Sequence, residues 1–394
     1  MYHYEILFEL LEELDVIGEE FHFPVGYHQF HKEQVFNFQL NRWYSLGYAR
    51  FEDIKEFGQR INTFEEWKTE MLKLGDKAVA EDRLMNAAFY YRAAEFYTLL
   101  GDPDKDALYD KFIDLFYQAL RNDEIERLKV PYEDAYLPTI RIRPTNAEKK
   151  GTIVMHGGFD SFIEEFYSWM RYFSEHGYEV ISFEGPGQGG ARKKFGLALD
   201  WRWERPAKAI LDYFKLNDVT WLGISMGGWF CLRAAAFEPR IKRVMASSIA
   251  FDYMQMPNFA AQQLAKLFFI RFRKLTNRLT LRKMTKDKMP AWSVSNMMYI
   301  ADKKTPVDAM DVVLQLNKRN LHSELVKQDV LILTGREDHF IPFKMHDMQV
   351  KALINARSVT GRVFTREEQA QNHCQIGNIG LALDVMVKWI EEKS

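Results

Sequence analysis

Cysteine is nearly absent: Cys231 and Cys374 are the two in a chain of 394 residues. Two thiols are too few for a disulfide framework or a four-ligand zinc site. An excess of charge is missing as well. The 53 basic and 55 acidic side chains leave a formal charge of −2. Such a chain has no global field to draw in nucleic acid or an acidic membrane surface, so neither is an expected partner. No uninterrupted apolar stretch of about 18 residues occurs, which excludes a membrane-spanning helix. The opening MYHYEILFELLEELDVIGEE is acidic and lacks the basic start and apolar stretch of a signal peptide. The compartment expected from these absences is the cytoplasm.

What is present begins with an ordinary globular balance, 47% hydrophobic and 27% charged. That balance excludes disordered and collagen-like chains. At roughly 150 residues per domain the length suggests two or three domains. The unusual quantity is the aromatic share of 14%, with 30 Phe, 18 Tyr and 9 Trp. Flat side chains in this number must be buried in cores, at an interface, or around an aromatic-walled pocket.

Residues 1–125 read as a helical domain. EILFELLEEL, FEEWKTEMLKLGDKAVA and AAFYYRAAEFYTLL carry apolar residues three and four apart, the period of a helix with one buried face. Gly101-Asp102-Pro103-Asp104 ends one helix and starts the next, with Asp102 or Asp104 as its cap. From about residue 126 to 394 the pattern changes. AYLPTIRIRP, TIVMHGG, EVISFEG, VTWLGIS, VMASSIA, VLILTG and VTGRVFT read as strands separated by helical segments. Alternating strands and helices predict an α/β fold with a mostly parallel sheet covered on both faces. Residues 252–326 interrupt the alternation with helices rich in Met, Phe and Leu and a basic run, RFRKLTNRLTLRKMTKDK. An insertion of this length in a compact domain reads as a lid, its basic run as a solvated face or an attractor for an acidic ligand.

The sharpest motif is Gly223-Ile224-Ser225-Met226-Gly227, followed by Gly228. It lies between a predicted strand and a predicted helix, the setting of a nucleophile elbow. Ser225 there must sit on a tight turn, with glycines before and after it where a Cβ would collide. The helix that follows points its N-terminus at developing negative charge. A serine hydroxyl needs a base. His373, in the loop EEQAQNHCQIGN before the final helix, is placed for that role. His346 lies within a helical pattern, and His339 is too close in sequence to the acid. Asp338, after VLILTG, can orient the imidazole, with Glu337 and Asp252 as rivals. The oxyanion donors are expected to be the Met226 N–H and an N–H of the His156-Gly157-Gly158-Phe159 loop, from Phe159 or Gly158. Ser161-Phe162-Ile163-Glu164 reads as a capping box for the next helix, and His156 as a structural anchor.

One motif points elsewhere. Gly185-Pro186-Gly187-Gln188-Gly189-Gly190 satisfies a dinucleotide-binding fingerprint and follows a strand. It does not follow the first strand, no amphipathic helix opens after it, and Pro186 removes an amide. Glu184 beside it reads as a residue that orients the loop or touches substrate. Cys231 reads as core, and Cys374 has no elbow of its own. No cofactor and no metal are called for.

HGGFDS, FEGPGQGG, GISMGG, GREDHFIP and His373 together resemble the α/β-hydrolases typified by 2,6-dihydroxypseudooxynicotine hydrolase. The fermentation-respiration switch protein and fungal polyketide chain-shortening hydrolases are similar, and the helical segment with YYRAAEFY resembles theirs. The resemblance implies a Ser225–Asp338–His373 hydrolase whose N-terminal helices cover the site and support a homodimer. It implies a small-molecule substrate, an ester or a ketone cleaved at an adjacent carbon–carbon bond, with an aromatic or polyketide-like body. Some relatives use a further acidic residue, for which Asp252 and Glu184 are the candidates. One acts mainly by binding, so a non-catalytic binding protein is the alternative, and an oxidoreductase using the glycine loop a more distant one.

Overall fold

The computed structural model describes residues 23–120, 125–145 and 148–394. The expected helix EILFELLEEL lies outside the described residues. Among the described residues five helices precede the first strand: α1 Gln34–Ser45, α2 Phe51–Gly58, α3 Phe64–Ala80, α4 Leu84–Tyr97 and α5 Asp104–Ala119. Their boundaries follow local chemistry. Thr63 Oγ1 accepts the Glu66 N–H while the Glu66 carboxylate accepts the Thr63 N–H, a reciprocal cap for α3. Asp102 accepts the Asp104 N–H at 2.9 Å and so starts α5.

Among the described residues eight strands form one sheet in the order β1-β2-β4-β3-β5-β6-β7-β8. They are β1 Ile125–Tyr132, β2 Ala135–Ile142, β3 Gly151–His156, β4 Tyr178–Phe183, β5 Val219–Ile224, β6 Ile241–Ser247, β7 Asp329–Gly335 and β8 Ser358–Phe364. β1 and β2 run antiparallel to their neighbours; the rest are parallel. The fold is thus the α/β-hydrolase type that the motifs implied. One strand escaped the sequence reading. β1, IERLKVPY, pairs among the described residues only with β2 and keeps much of its length open to solvent, so it lacks an apolar run.

Side-chain alternation sends successive residues of each inner strand to opposite faces. Ile153, Val180, Leu222, Met245 and Leu331 join one core. Their neighbours Val154, Ile181, Trp221, Val244 and Ile332 join the other. The first core is continuous with the N-terminal helices through Phe36, Trp43, Trp67, Phe89 and Phe112. Much of the aromatic surplus is spent there: Phe36 stacks on Trp67 with ring centroids 5.5 Å apart, and Phe64 on Tyr97 at 4.3 Å. Helices α6 Tyr167–Glu175, α7 Gly189–Lys193, α8 Glu204–Tyr213 and α9 Gly227–Phe237 lie between the strands from β3 to β6; between β6 and β7 the chain is helical, with α10 Phe259–Arg271, α11 Arg273–Met284, α12 Lys288–Ile300 and α13 Pro306–Val313 as its main elements. Trp292 of α12 stacks on Phe96 of α4 at 4.8 Å, so inserted and N-terminal helices meet over the sheet. Among the described residues no helix is long and apolar enough to cross a membrane.

Trp67 is fully buried and its indole N–H donates to the Ala93 carbonyl at 2.7 Å. Trp67→Ala removes that contact and leaves a large void. We expect it to lower unfolding stability by about 3–5 kcal/mol in urea titration; an unchanged midpoint would refute the assigned packing.

Candidate active site

Parallel register brings the carboxyl ends of the central strands level. His156 pairs with Gly223, Ile224 with Ser247, and Ser247 with Leu333. Residues just beyond these ends therefore share one edge, where open sheets present their sites. Ser225 follows β5 with φ +61°, a left-handed conformation strained for a residue with a Cβ. Backbone crowding explains the glycines around it. A Cβ on Gly223 would lie 2.0 Å from the Gly227 carbonyl oxygen, and one on Gly228 2.0 Å from that of Ser248.

His373 stands after β8 in the loop before the final helix, Ile379–Lys393. Its Nε2 lies 2.9 Å from Ser225 Oγ and its Nδ1 2.7 Å from Asp338 Oδ2. The carboxylate fixes the tautomer: Nδ1–H donates to Asp338, which leaves Nε2 to accept the serine proton. Asp338 also accepts the N–H groups of Phe340 and Ile341, each at 2.9 Å, and the Ser248 hydroxyl at 3.1 Å. Its side chain is 1% exposed and that of His373 10%. Burial opposes both charges. Attraction to the imidazole nevertheless holds Asp338 below the usual carboxylate range. Attraction to the carboxylate likewise lifts His373 well above 6.5 against burial.

The rivals sit elsewhere. Glu337 pairs with Arg366 at the surface. Asp252 accepts the Met254 N–H and the Gln255 amide, capping a turn. Glu184 accepts the Ile163 and Gly190 N–H groups inside the glycine loop, and burial with Glu164 nearby raises its pKa. Neither Asp252 nor Glu184 lines the cavity above Ser225, so the structure does not place them against substrate. The same carboxylate occupies the glycine loop from within, which removes the phosphate cradle that the dinucleotide fingerprint requires. His346 is tied to Thr334 within a helix. His156 is buried among Phe183, Trp203 and Trp221, and burial takes its pKa down to about 3, in keeping with an anchor. The expected capping box shifts by one: Glu165, not Glu164, reaches back to the Phe162 N–H, and Ser161 Oγ accepts the Gly158 N–H at 3.3 Å.

Met226 and Phe159 both line the cavity, and among the described residues neither N–H has an acceptor. Gly158 lies against Ser225; a Cβ on it would be 2.8 Å from the Met226 nitrogen and 3.0 Å from the Ser225 Cβ. The cavity has a volume of about 560 Å³. Its walls come from the N-terminal helices (Phe38, Phe96), the inserted helices (Met289, Trp292) and the sheet edge (Phe159, Phe340). Sequence reasoning missed its charged border. Arg42 bridges Asp160 and Glu165 there. Helical periodicity marks Arg42 only as polar, and nothing in the sequence ties it to residues more than a hundred positions away. It also missed Ser248, whose hydroxyl meets both Asp338 and the Cys374 N–H.

A family model described as alpha/beta hydrolase fold matches residues 152–359. Hydrolase acrC of Aspergillus aculeatus is 27% identical over 356 residues, covering 78% of this chain and 76% of that one. Hydrolyase poxO of Penicillium oxalicum is 30% identical over 265 residues, covering 57% and 63%. Among solved structures, 2,6-dihydroxy-pseudo-oxynicotine hydrolase superposes with a TM-score of 0.64 at 19% identity, covering 89% of this chain and 94% of that one. AbyA5 does so with 0.62 at 18% identity, covering 86% and 88%. At these identities the structures speak for the fold.

The charge pair predicts a titration. His373 should titrate above 6.5 by NMR, and Asp338→Asn should lower that value because burial is left with less opposition. A pKa raised on folding stabilises the fold below the unfolded value, and the gain is lost as pH rises through the folded one. A His373 pKa at or below 6.5 in the wild type would contradict the pairing.

Proposed function

The chain belongs to the α/β-hydrolase family, and from that premise we propose that it is a serine hydrolase of small molecules working through Ser225, His373 and Asp338. The observation that carries the reading is the unbroken relay from Ser225 Oγ through the His373 ring to Asp338, opening into a cavity of about 560 Å³.

In this reading Ser225 Oγ attacks a carbonyl carbon as His373 Nε2 takes its proton. Asp338 stays ionised and stabilises the imidazolium. The N–H groups of Met226 and Phe159 hold the oxyanion, and the N-terminus of the helix Gly227–Phe237 adds its dipole. Collapse of the tetrahedral intermediate breaks the bond to the leaving group, which takes the proton from His373. Water then attacks the acyl-serine, with His373 again as base, and releases the acid. The apolar walls favour a substrate with an aromatic or polyketide-like body. The scissile bond is an ester or a carbon–carbon bond next to a ketone; in the second case His373 protonates a carbanion. The name of the dihydroxy-pseudo-oxynicotine hydrolase and the hydrolase names of the fungal relatives agree with this class. Supply of the pocket wall by N-terminal and inserted helices supports a capping role for residues 1–125 and 252–326.

Ser225→Ala is expected to lower kcat/KM for short acyl p-nitrophenyl esters by about 10³-fold or more. Wild-type rates in the variant would overturn the assignment. The acidic limb of wild-type kcat/KM should lie above pH 6.5, because the base is unprotonated only above its raised pKa. An acidic limb below that value would remove His373 as the base.

A further inference from the structure

The glycine loop Gly185–Gly190, which matched a nucleotide motif in sequence, has no part in the relay, yet its one long polar side chain points at the oxyanion loop. Gln188 is buried. Its Nε2 donates to the Gly157 carbonyl at 2.6 Å and to the Gly158 carbonyl at 3.3 Å, and its Oε1 accepts the Gly185 N–H at 3.0 Å. Only the NH₂ end can meet two carbonyls, so this network fixes the orientation of the amide.

We propose that Gln188 is a positioning residue that aims the Phe159 N–H at the oxyanion; the inference rests on the serine-hydrolase reading above. The Gly158 carbonyl and the Phe159 N–H belong to one planar trans peptide and point in opposite directions. Holding the oxygen from behind therefore turns the N–H toward the cavity that Phe159 lines. The preceding peptide is fixed in the same way, with the Gly157 oxygen on Gln188 and the Gly158 N–H on Ser161 Oγ. The next two carbonyls are held from other elements: that of Phe159 by Asn296 of α12 at 3.3 Å, and that of Asp160 by Arg92 of α4 at 2.6 Å. Gln188 acts on the peptide that carries the donor.

The loop is built to hold Gln188 still. Glu184 fills it and binds the Gly190 N–H, and a Cβ on Gly189 would lie 1.8 Å from the Glu184 carboxylate. Glycine there lets the chain close around its own carboxylate. The fingerprint spacing thus serves an internal carboxyl group and a fixed amide.

Removing an oxyanion donor altogether lowers kcat by about 10²–10³-fold, so misaiming one should lower it by about ten-fold or more. The test is Gln188→Met, similar in size but with no amide, assayed with p-nitrophenyl butyrate and with an alkylboronic acid as tetrahedral mimic. The expected result is a fall in kcat with KM within about two-fold, and a matching loss of boronate affinity at retained thermal stability. Wild-type kcat, or a loss carried by KM with boronate affinity unchanged, would overturn the proposal. Should Gln188→Met not fold, Gln188→Asn, which keeps the amide but is one carbon too short, is judged by the same criteria. Ser225→Ala run in parallel separates the two claims. Activity surviving there breaks the triad reading; activity lost there but retained in the Gln188 variant breaks only this one.

Discussion

Everything at this site depends on one backbone constraint: Ser225 is held at φ +61° on a turn so tight that neighbouring chain touches it from several sides. Left-handed backbone in a serine costs on the order of 1–3 kcal/mol and persists only where its surroundings impose it. Here they do. The Ser225 N–H donates to the Ser247 carbonyl at 2.8 Å, the Gly228 N–H closes back on the Ser225 carbonyl, and Gly158 packs against the Ser225 side chain. The strain lifts the hydroxyl out of the sheet toward His373. The same crowding brings the loop of residues 156–159 within reach of the helix that starts at Gly227.

Electrostatics supplies the second layer. A carboxylate and an imidazole are buried together, and a charge on either alone would be disfavoured by burial. Backbone N–H groups of Phe340 and Ile341 and the Ser248 hydroxyl satisfy the carboxylate, so the aspartate can remain charged with its partner either neutral or protonated. Burial of both side chains sharpens these interactions, since charges attract more strongly in a medium of low polarity. On the proposed function, the inserted and N-terminal helices would contribute to chemistry as well as to selectivity, although they supply no member of the relay.

Much of this was legible in the sequence because strand ends and glycine spacings are local signals. The inner strands stand out as apolar runs bounded by Gly or Pro, and the elbow stands out because Gly223, Ser225, Gly227 and Gly228 answer steric demands within six residues. Order along the chain then left few histidines and acids to choose between, and Asp338 and His373 meet at 2.7 Å. What stayed hidden is what only tertiary contact defines. β1 is an edge strand without an apolar signature. The cap at residue 162 rather than 161 depends on where Ser161 turns its hydroxyl. Glu184 and Asp252 are acids near strand ends, as a catalytic group would be, but local N–H groups claim both. Arg42 meets Asp160 and Glu165 across more than a hundred residues. The glycine fingerprint, which its place after a later strand and Pro186 already argued against, has a spacing that accommodates a side-chain carboxyl group where the motif would hold a phosphate.

The central claim is that Ser225 is an activated nucleophile, and the most direct measurement is covalent labelling. A fluorophosphonate should react with the wild-type protein and leave a single adduct that peptide mass spectrometry maps to Ser225. His373→Ala should abolish the reaction, because the hydroxyl then lacks its base. No adduct on a folded wild-type protein, or an adduct on another residue, would contradict the account and favour a binding protein on a hydrolase fold.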